Sequence, residues 1–113
     1  MTDMPEDHRG HPAARVAPYL IDLTDRVLFG DIWERPQLSK RDRTLVTMAV
    51  LMKEFRVDEL RSHIRRGLDN GVTRDEIAEL IVHLAFYGGW PVGANAMKQV
   101  LAVYEELELG PES

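Results

Sequence analysis

The sequence predicts an all-α protein of about five helices. Apolar residues recur every three or four positions in successive segments, which is the spacing of one helix face. Glycine, proline or a capping residue separates these segments, and no segment alternates with period two for long enough to form a strand. With 113 residues the chain has a usual size for one domain. We expect a folded domain over residues 13–109, flanked by tails at residues 1–12 and 110–113.

Two helices are predicted in the first half of the chain, after a polar stretch at residues 1–12 that we expect to be mobile. The first runs from Ala13 to about Phe29, with apolar residues at helical spacing. Ser39 and Asp42 then have the spacing of an N-cap and its capping-box partner, which predicts the start of the second helix.

The second predicted helix contains the run LVTMAVLM at residues 45–52, which is apolar on nearly every side. A helix of this kind belongs in the middle of a core or between subunits. Too few polar residues cover it for a lone domain of this size, so we expect self-association to bury part of its surface.

The third helix is predicted from about Asp58 to Asn70, and it ends because Gly71 can adopt the left-handed conformation without strain. Its apolar stripe consists of Leu60, Ile64 and Leu68.

Two more helices complete the predicted fold. Thr73 and Glu76 have the spacing of a capping box and begin the fourth helix, which stops at Gly88–Gly89. Pro91 suits the first turn of the fifth helix, which ends before Gly110.

The composition limits the partners and the chemistry. A net charge of −5, from 14 basic and 19 acidic residues, argues against nucleic acid, because phosphate neutralisation needs a basic surface. No apolar run is long enough to span a bilayer, and the first residues lack the layout of a secretory signal, so we expect a cytoplasmic protein without a membrane partner. The absence of cysteine excludes disulfides, thiolate zinc sites and dithiol catalysis.

The third helix carries the first candidate catalytic pair. Glu59 and His63 are four residues apart, so their side chains lie on one helix face. A carboxylate beside a histidine holds one tautomer and makes the imidazole a proton carrier near neutral pH. Gly67, one turn further on, has no side chain, and we interpret it as room for a ligand against the imidazole. From spacing alone, an exposed pair with an ordinary surface role is the more common alternative.

His83 and Tyr87 repeat this spacing at the border of the apolar face of the fourth helix. Either they line the same cavity as His63, or they are partly buried and satisfied by backbone groups. No HxxxH or HExxH spacing occurs, so no metal site is predicted.

Three further residues are candidates for substrate binding. Arg43 lies in the first turn of the second helix, where a cation gains nothing from the helix dipole, so we expect it to bind a carboxylate of the fold or of a substrate. Trp33 and Trp90 lie at breaks between helices, where an aromatic ring either walls a pocket or simply packs.

Several short motifs occur in a specific order between about Pro18 and Leu109. They are Gly30-Asp31-Ile32-Trp33 with Arg35-Pro36, Arg43-Thr44-Leu45-Val46-Thr47, Glu59-Leu60 with His63, Asn70-Gly71-Val72-Thr73 with Glu76-Ile77, and Tyr87, Gly89 and Pro91 with Ala94-Asn95-Ala96. This order resembles the carboxymuconolactone decarboxylase family, which is related to the alkylhydroperoxidase D-like proteins. The resemblance implies an all-α fold that assembles as a homotrimer or homohexamer.

The resemblance also implies a reaction. In the thiol-bearing relatives a CxxC pair before the equivalent histidine reduces peroxides, and Arg56 and Glu59 occupy those positions here. A peroxide cycle needs a thiolate, so a peroxiredoxin label describes the superfamily and not this chain. The decarboxylase branch removes carbon dioxide from a carboxylated butenolide of the protocatechuate pathway, without a cofactor. By resemblance, His63 carries the proton, Glu59 orients it and Arg43 binds a substrate carboxylate.

We therefore expect a cofactor-independent decarboxylase of a small carboxylated lactone or cyclic acid. Trp33, His83, Tyr87 and Trp90 are expected around the substrate, and the bulk of Trp90 departs from the smaller aliphatic residue of the decarboxylases. The alternative is a non-catalytic ligand-binding or scaffold oligomer of the same fold.

Overall fold

The computed structural model describes residues 12–110. The predicted tails therefore lie outside the described residues, apart from Pro12 and Gly110. Within the described range the protein has no strand and five α-helices, which are α1 (Pro18–Leu23), α2 (Lys40–Lys53), α3 (Val57–Asp69), α4 (Arg74–Gly88) and α5 (Trp90–Glu106). This confirms the predicted all-α fold. None of the described helices has the length and apolar character to cross a bilayer.

The chain divides into two compact units, Met1–Lys40 and Arg41–Ser113, and the bounds of the predicted domain stay a prediction. In the first unit, a 3₁₀ helix at Pro12–Arg15 precedes α1, and α1 continues directly into a π-helix at Thr24–Phe29. The expected single helix is wrong at Ala17, whose φ of −141° and ψ of 73° are not helical. Pro18 causes the break, because its ring disfavours a helical residue before it and suits the first turn of the helix that follows.

Local sequence signals set several helix ends. α2 begins at Lys40, directly after Ser39. The Thr73 hydroxyl accepts a hydrogen bond from the Glu76 N–H at 3.1 Å, and the Glu76 carboxylate accepts one from the Thr73 N–H at 2.9 Å. This pair confirms the predicted capping box of α4. Gly71, after α3, has the expected positive φ, of 92°.

The end of α2 carries no such signal in the sequence. The Arg56 N–H donates to the Leu51 carbonyl at 3.0 Å and the Phe55 N–H to the Met52 carbonyl at 3.2 Å. This is the pattern of a Schellman motif, and Phe55 takes its left-handed position with a φ of 56°. Glycine usually fills that position, so a phenylalanine there gives no warning of the helix end.

The core of the second unit joins α2, α3, α4 and α5. Its fully buried side chains include Met48, Met52, Leu60, Ile64 and Ile77, and Val72, Ile81, Val92, Ala96, Val100 and Val103 pack with them. The far side of α2 is different, because about half of the surface of Val46 and Val50 stays exposed. The helix that is apolar on nearly every side therefore buries only one of its sides within this chain.

Candidate active site

His63 lies on α3, at the flank of the buried stripe that contains Leu60 and Ile64. Its ring atom Nδ1 is 2.9 Å from the main-chain carbonyl oxygen of Glu59, one turn earlier. A carbonyl oxygen can only accept a hydrogen bond, so Nδ1 carries the proton. In the neutral ring the lone pair is then on Nε2.

The Glu59 carboxylate is engaged elsewhere, because its Oε2 accepts a hydrogen bond from Arg56 Nη2 at 2.6 Å. The pKa of Glu59 is lowered, first by a hydrogen bond from its own main-chain N–H and then by Arg56, with a smaller contribution from the charge of His63. The main-chain carbonyl of Glu59 thus accepts the hydrogen bond from the ring, and the expected orienting role of its carboxylate stays a prediction.

Gly67 does not leave room for a ligand, contrary to the sequence interpretation. A methyl group at this position would come within 2.4 Å of Met48 Cε and 3.3 Å of Thr44 Cγ2. The space beside Gly67 is thus filled by two buried side chains of α2. The glycine allows α2 and α3 to approach closely.

Arg43 precedes Thr44 on α2, on the helix that packs against Gly67 of α3. The side chain of Arg43 is partly buried, and its Nε atom is fully covered. Because a methyl group on Gly67 would lie 3.3 Å from Thr44 Cγ2, the first turns of α2 lie near the part of α3 that is one turn beyond His63. The role of Arg43 in carboxylate binding stays a prediction.

His83 and Tyr87 are exposed to solvent among the described residues. Both lie on the exposed side of α4, and Tyr87 is 82% exposed. Their rings stack on each other, with centroids 4.7 Å apart and planes inclined by 27°. Because each ring covers one face of the other, a planar ligand or a partner can stack only on an outer face of this pair.

Trp90 borders a groove of about 180 Å³ between α4 and α5. The groove is lined entirely by apolar surface, from Ile81, Val82, Ala85, Phe86, Trp90, Gly93, Ala94 and Met97. His63, His83 and Tyr87 are not among these residues, and the expected cavity common to all three stays a prediction. An apolar groove also does not suit a carboxylated substrate, because a buried carboxylate needs hydrogen-bond donors.

Trp33 lies in the first unit, in a 3₁₀ helix at Ile32–Glu34. It is 7% exposed, and its ring centroid is 6.5 Å from that of Phe29. Within its own unit Trp33 therefore packs as a buried aromatic residue.

A polar chain that the sequence did not predict joins α3 and α5. Arg61 Nε donates to Gln99 Oε1 at 2.9 Å, and Gln99 Nε2 donates to Asn95 Oδ1 at 3.2 Å. Gln99 is 7% exposed, and the Nδ2 of Asn95 is buried without a hydrogen-bond partner among the described residues. The spacing of Asn95 and Gln99, four residues apart beside the apolar stripe of α5, is the signal that could have identified them.

Comparison with known proteins now identifies the family. Residues 18–102 match the Carboxymuconolactone decarboxylase family, and the chain belongs to it. The resemblance that the sequence motifs indicated is thereby confirmed.

Three known proteins are similar in sequence to most of the chain. A 4-carboxymuconolactone decarboxylase of Acinetobacter baylyi is 45% identical over 91 residues, which cover 80% of this chain and 68% of that protein. A nitrosuccinic acid decarboxylase of Metarhizium robertsii is 38% identical over 76 residues, covering 67% of this chain and 53% of the relative. An uncharacterized 15.0 kDa protein of Paracoccus denitrificans is 32% identical over 80 residues, covering 69% and 60%. The chain thus spans little more than half of one relative and about two thirds of another.

Proposed function

We propose that this protein is a cofactor-independent decarboxylase of a small carboxylated compound, with a carboxylated lactone such as 4-carboxymuconolactone as the leading substrate. The observation that carries the proposal is the 45% identity with a 4-carboxymuconolactone decarboxylase over four fifths of the chain. A second decarboxylase among the relatives, at 38% identity, supports the same type of reaction.

The two substrates that these relatives are named for share one chemical property. In each, a carboxylate is bonded to a carbon whose electron pair can spread into a neighbouring group, an unsaturated lactone in one case and a nitro group in the other. Loss of carbon dioxide breaks the bond between that carbon and the carboxyl carbon, and the electron pair moves into the acceptor group. The substrate provides the electron sink, so the protein must bind the carboxylates, stabilise the new anion and supply one proton.

His63 is proposed to supply that proton. Because Nδ1–H is bound to the Glu59 carbonyl, the transferable proton is carried on Nε2. The ring takes a proton from solvent at Nε2 and transfers it to a carbon of the delocalised anion that loss of carbon dioxide leaves, and it then returns to its neutral form. The reaction balances as one carboxylate and one proton giving one C–H bond and one carbon dioxide.

Arg43 is proposed to bind a substrate carboxylate. A guanidinium group can hold a carboxylate through two parallel hydrogen bonds, which fixes the direction of the scissile bond as well as its position. The location of Arg43 on a helix packed beside the His63 half of α3 supports this role. Four further residues stay candidates for substrate contacts, namely Trp33, His83, Tyr87 and Trp90. No hydrogen bond or shared cavity given by the described residues supports them.

We also infer that the protein assembles as a homotrimer or homohexamer. The exposed apolar sides of α2 and of the α4–α5 pair support self-association, since a monomer rarely exposes extended apolar surface.

Turnover of defined acids tests the proposed reaction. Purified protein is mixed with 4-carboxymuconolactone or with nitrosuccinate, and carbon dioxide release is measured against a protein-free control and against His63→Ala. We expect catalysis of at least one acid by the wild type and its loss in the variant. A folded protein that binds these acids without turnover would support the alternative, a non-catalytic ligand-binding or scaffold oligomer.

A further inference from the structure

Arg56 occupies the junction between α2 and α3, and several contacts fix its place. Its N–H closes the Schellman motif on the Leu51 carbonyl, and Phe55 before it has a φ of 56° in the left-handed region. A non-glycine residue in this region is strained, so the surrounding contacts must hold it there. Arg56 is also the N-cap residue of α3 but makes no side-chain cap. Its side chain is thus directed to another group, the Glu59 carboxylate at 2.6 Å.

The Glu59 carboxylate has two possible cationic partners, Arg56 at i−3 and the imidazolium form of His63 at i+4. Both spacings bring side chains together on a helix surface. If the Glu59 carboxylate instead accepted a hydrogen bond from the imidazole, it would compete with the Glu59 carbonyl for the ring N–H groups. It would also stabilise a proton on Nε2. The ring would then release that proton less readily to a carbanion.

We propose that Arg56 is a positioning residue for His63: by holding the Glu59 carboxylate at the start of α3, it leaves Nδ1–H on the Glu59 carbonyl and Nε2 as the nitrogen that exchanges the proton. This inference rests on the proposed function of His63. In this proposal the Glu59 carboxylate does not orient the imidazole, as the sequence led us to expect, but has to be kept away from it.

The first test is a double-mutant cycle on the proposed reaction. Arg56→Gln should lower kcat about 10-fold, less than the roughly 10² -fold minimum for loss of a positioned acid or base, and should leave KM unchanged. Glu59→Gln should have a smaller effect, because the main-chain carbonyl remains. In the Arg56→Gln/Glu59→Gln protein, kcat should return to the Glu59→Gln value, because no carboxylate is left to capture the ring.

Arg65→Gln is the matched control. Arg65 lies on the same helix and forms an ion pair with Glu106 at 2.6 Å, and both of these side chains are partly exposed. Loss of this pair should leave kcat unchanged. Additive losses in the double variant, or a rise in KM that Glu59→Gln does not reverse, would overturn the proposal, because Arg56 would then act structurally or bind the substrate itself.

A second measurement does not depend on turnover. In ¹⁵N-labelled protein without substrate, neutral His63 should show a protonated Nδ1 and an unprotonated Nε2. The signal of unprotonated Nε2 should weaken in Arg56→Gln and return in the double variant. An unchanged spectrum in Arg56→Gln would overturn the positioning role. If no acid is decarboxylated while the spectra change as expected, the proposed function fails and the positioning by Arg56 stands.

Discussion

At the scale of single residues, the spacing of Glu59 and His63 predicts two side chains on one helix face, and the hydrogen bond between these residues involves the main-chain carbonyl of Glu59. A separation of four residues brings the side chains together, and it also brings the imidazole over the Glu59 carbonyl. The Glu59 carboxylate is bound by Arg56, a third residue at the α2–α3 junction. Sequence spacing does not reveal that ion pair, so the common helix face could be predicted from sequence but the hydrogen bonds could not.

The first prediction concerns the proton carrier. His63→Ala should lower kcat by about 10²–10⁴-fold, the usual effect of losing a positioned acid or base. The variant should stay folded, because His63 flanks the buried stripe and does not form it. Glu59→Gln should cost less, since the carbonyl that holds Nδ1 is unchanged. Steady-state kinetics, with circular dichroism as the control for folding, checks both. A wild-type kcat in His63→Ala would mean that His63 is a surface residue without a role in catalysis.

The second prediction concerns the carboxylate-binding residue. If Arg43 contacts the substrate equally in the ground and transition states, Arg43→Ala should raise KM and change kcat little. Arg43→Lys should recover part of the affinity, because it restores the charge without the two parallel hydrogen bonds. Binding of an unreactive dicarboxylate to the inactive His63→Ala protein, with and without Arg43→Ala, measures the effect directly. Equal affinity in the two proteins would argue against carboxylate binding by Arg43.

At the scale of helices, sequence signals that involve residues close together in the chain predicted helix ends correctly. The capping box of α4 and the left-handed Gly71 depend on residues within three or four positions, and both are present as expected. The missed features depend on residues far apart in the chain or on unusual conformations. Phe55 adopts a conformation that glycine favours, and Gln99 pairs with Arg61, 38 positions away. The residue type of Phe55 does not indicate its left-handed conformation, and the sequence separation of Gln99 and Arg61 does not indicate their hydrogen bond.

The third prediction tests the close approach of α2 and α3. In an exposed helix, Gly→Ala usually stabilises by about 0.5–1 kcal/mol. At Gly67 the added methyl would overlap the fully buried Met48, and overpacking of this kind costs about 1–3 kcal/mol. Gly67→Ala should therefore lower the free energy of unfolding by about 1 kcal/mol. Urea denaturation checks this, and the added Met48→Leu change should recover part of the loss. A more stable Gly67→Ala protein would mean that the two helices are not in close contact.

At the scale of the whole molecule, the chain contains no cysteine, so it has no thiol of its own for peroxide reduction. The fourth prediction is that the purified protein does not reduce an organic hydroperoxide in a dithiol-recycling assay. A peroxide cycle needs a thiolate that forms and resolves a sulfenic acid, and no side chain here can do so. Consumption of hydroperoxide above the rate of a protein-free control would contradict it.

If copies of the chain associate as proposed, the apolar surface of α4 and α5 is a candidate for the contact between them. On α4 and α5, Phe86, Tyr87 and Trp90 are 79%, 82% and 69% exposed. At 150–250 Å² for a whole aromatic side chain, their exposed parts amount to roughly 450 Å². Stable interfaces bury about 800 Å² on each partner, and the half-exposed Val82, Met97 and Leu101 extend the same surface toward that value. The sequence analysis placed the contacts on α2, where Val46 and Val50 offer a smaller apolar surface.

The last prediction is that the wild-type protein is a trimer or hexamer at micromolar concentration, as measured by light scattering after size-exclusion chromatography. Trp90→Glu should dissociate it to smaller species, because a carboxylate in an apolar interface loses its hydration without gaining a partner. Val46→Glu on α2 should have the same effect if that helix also contributes, as its sequence predicts. Lys98→Glu, at an exposed polar position of α5, is the control for added negative charge and should leave the assembly intact. A wild-type monomer would rule out self-association, and an unchanged assembly in both apolar variants would place the subunit contacts on another surface.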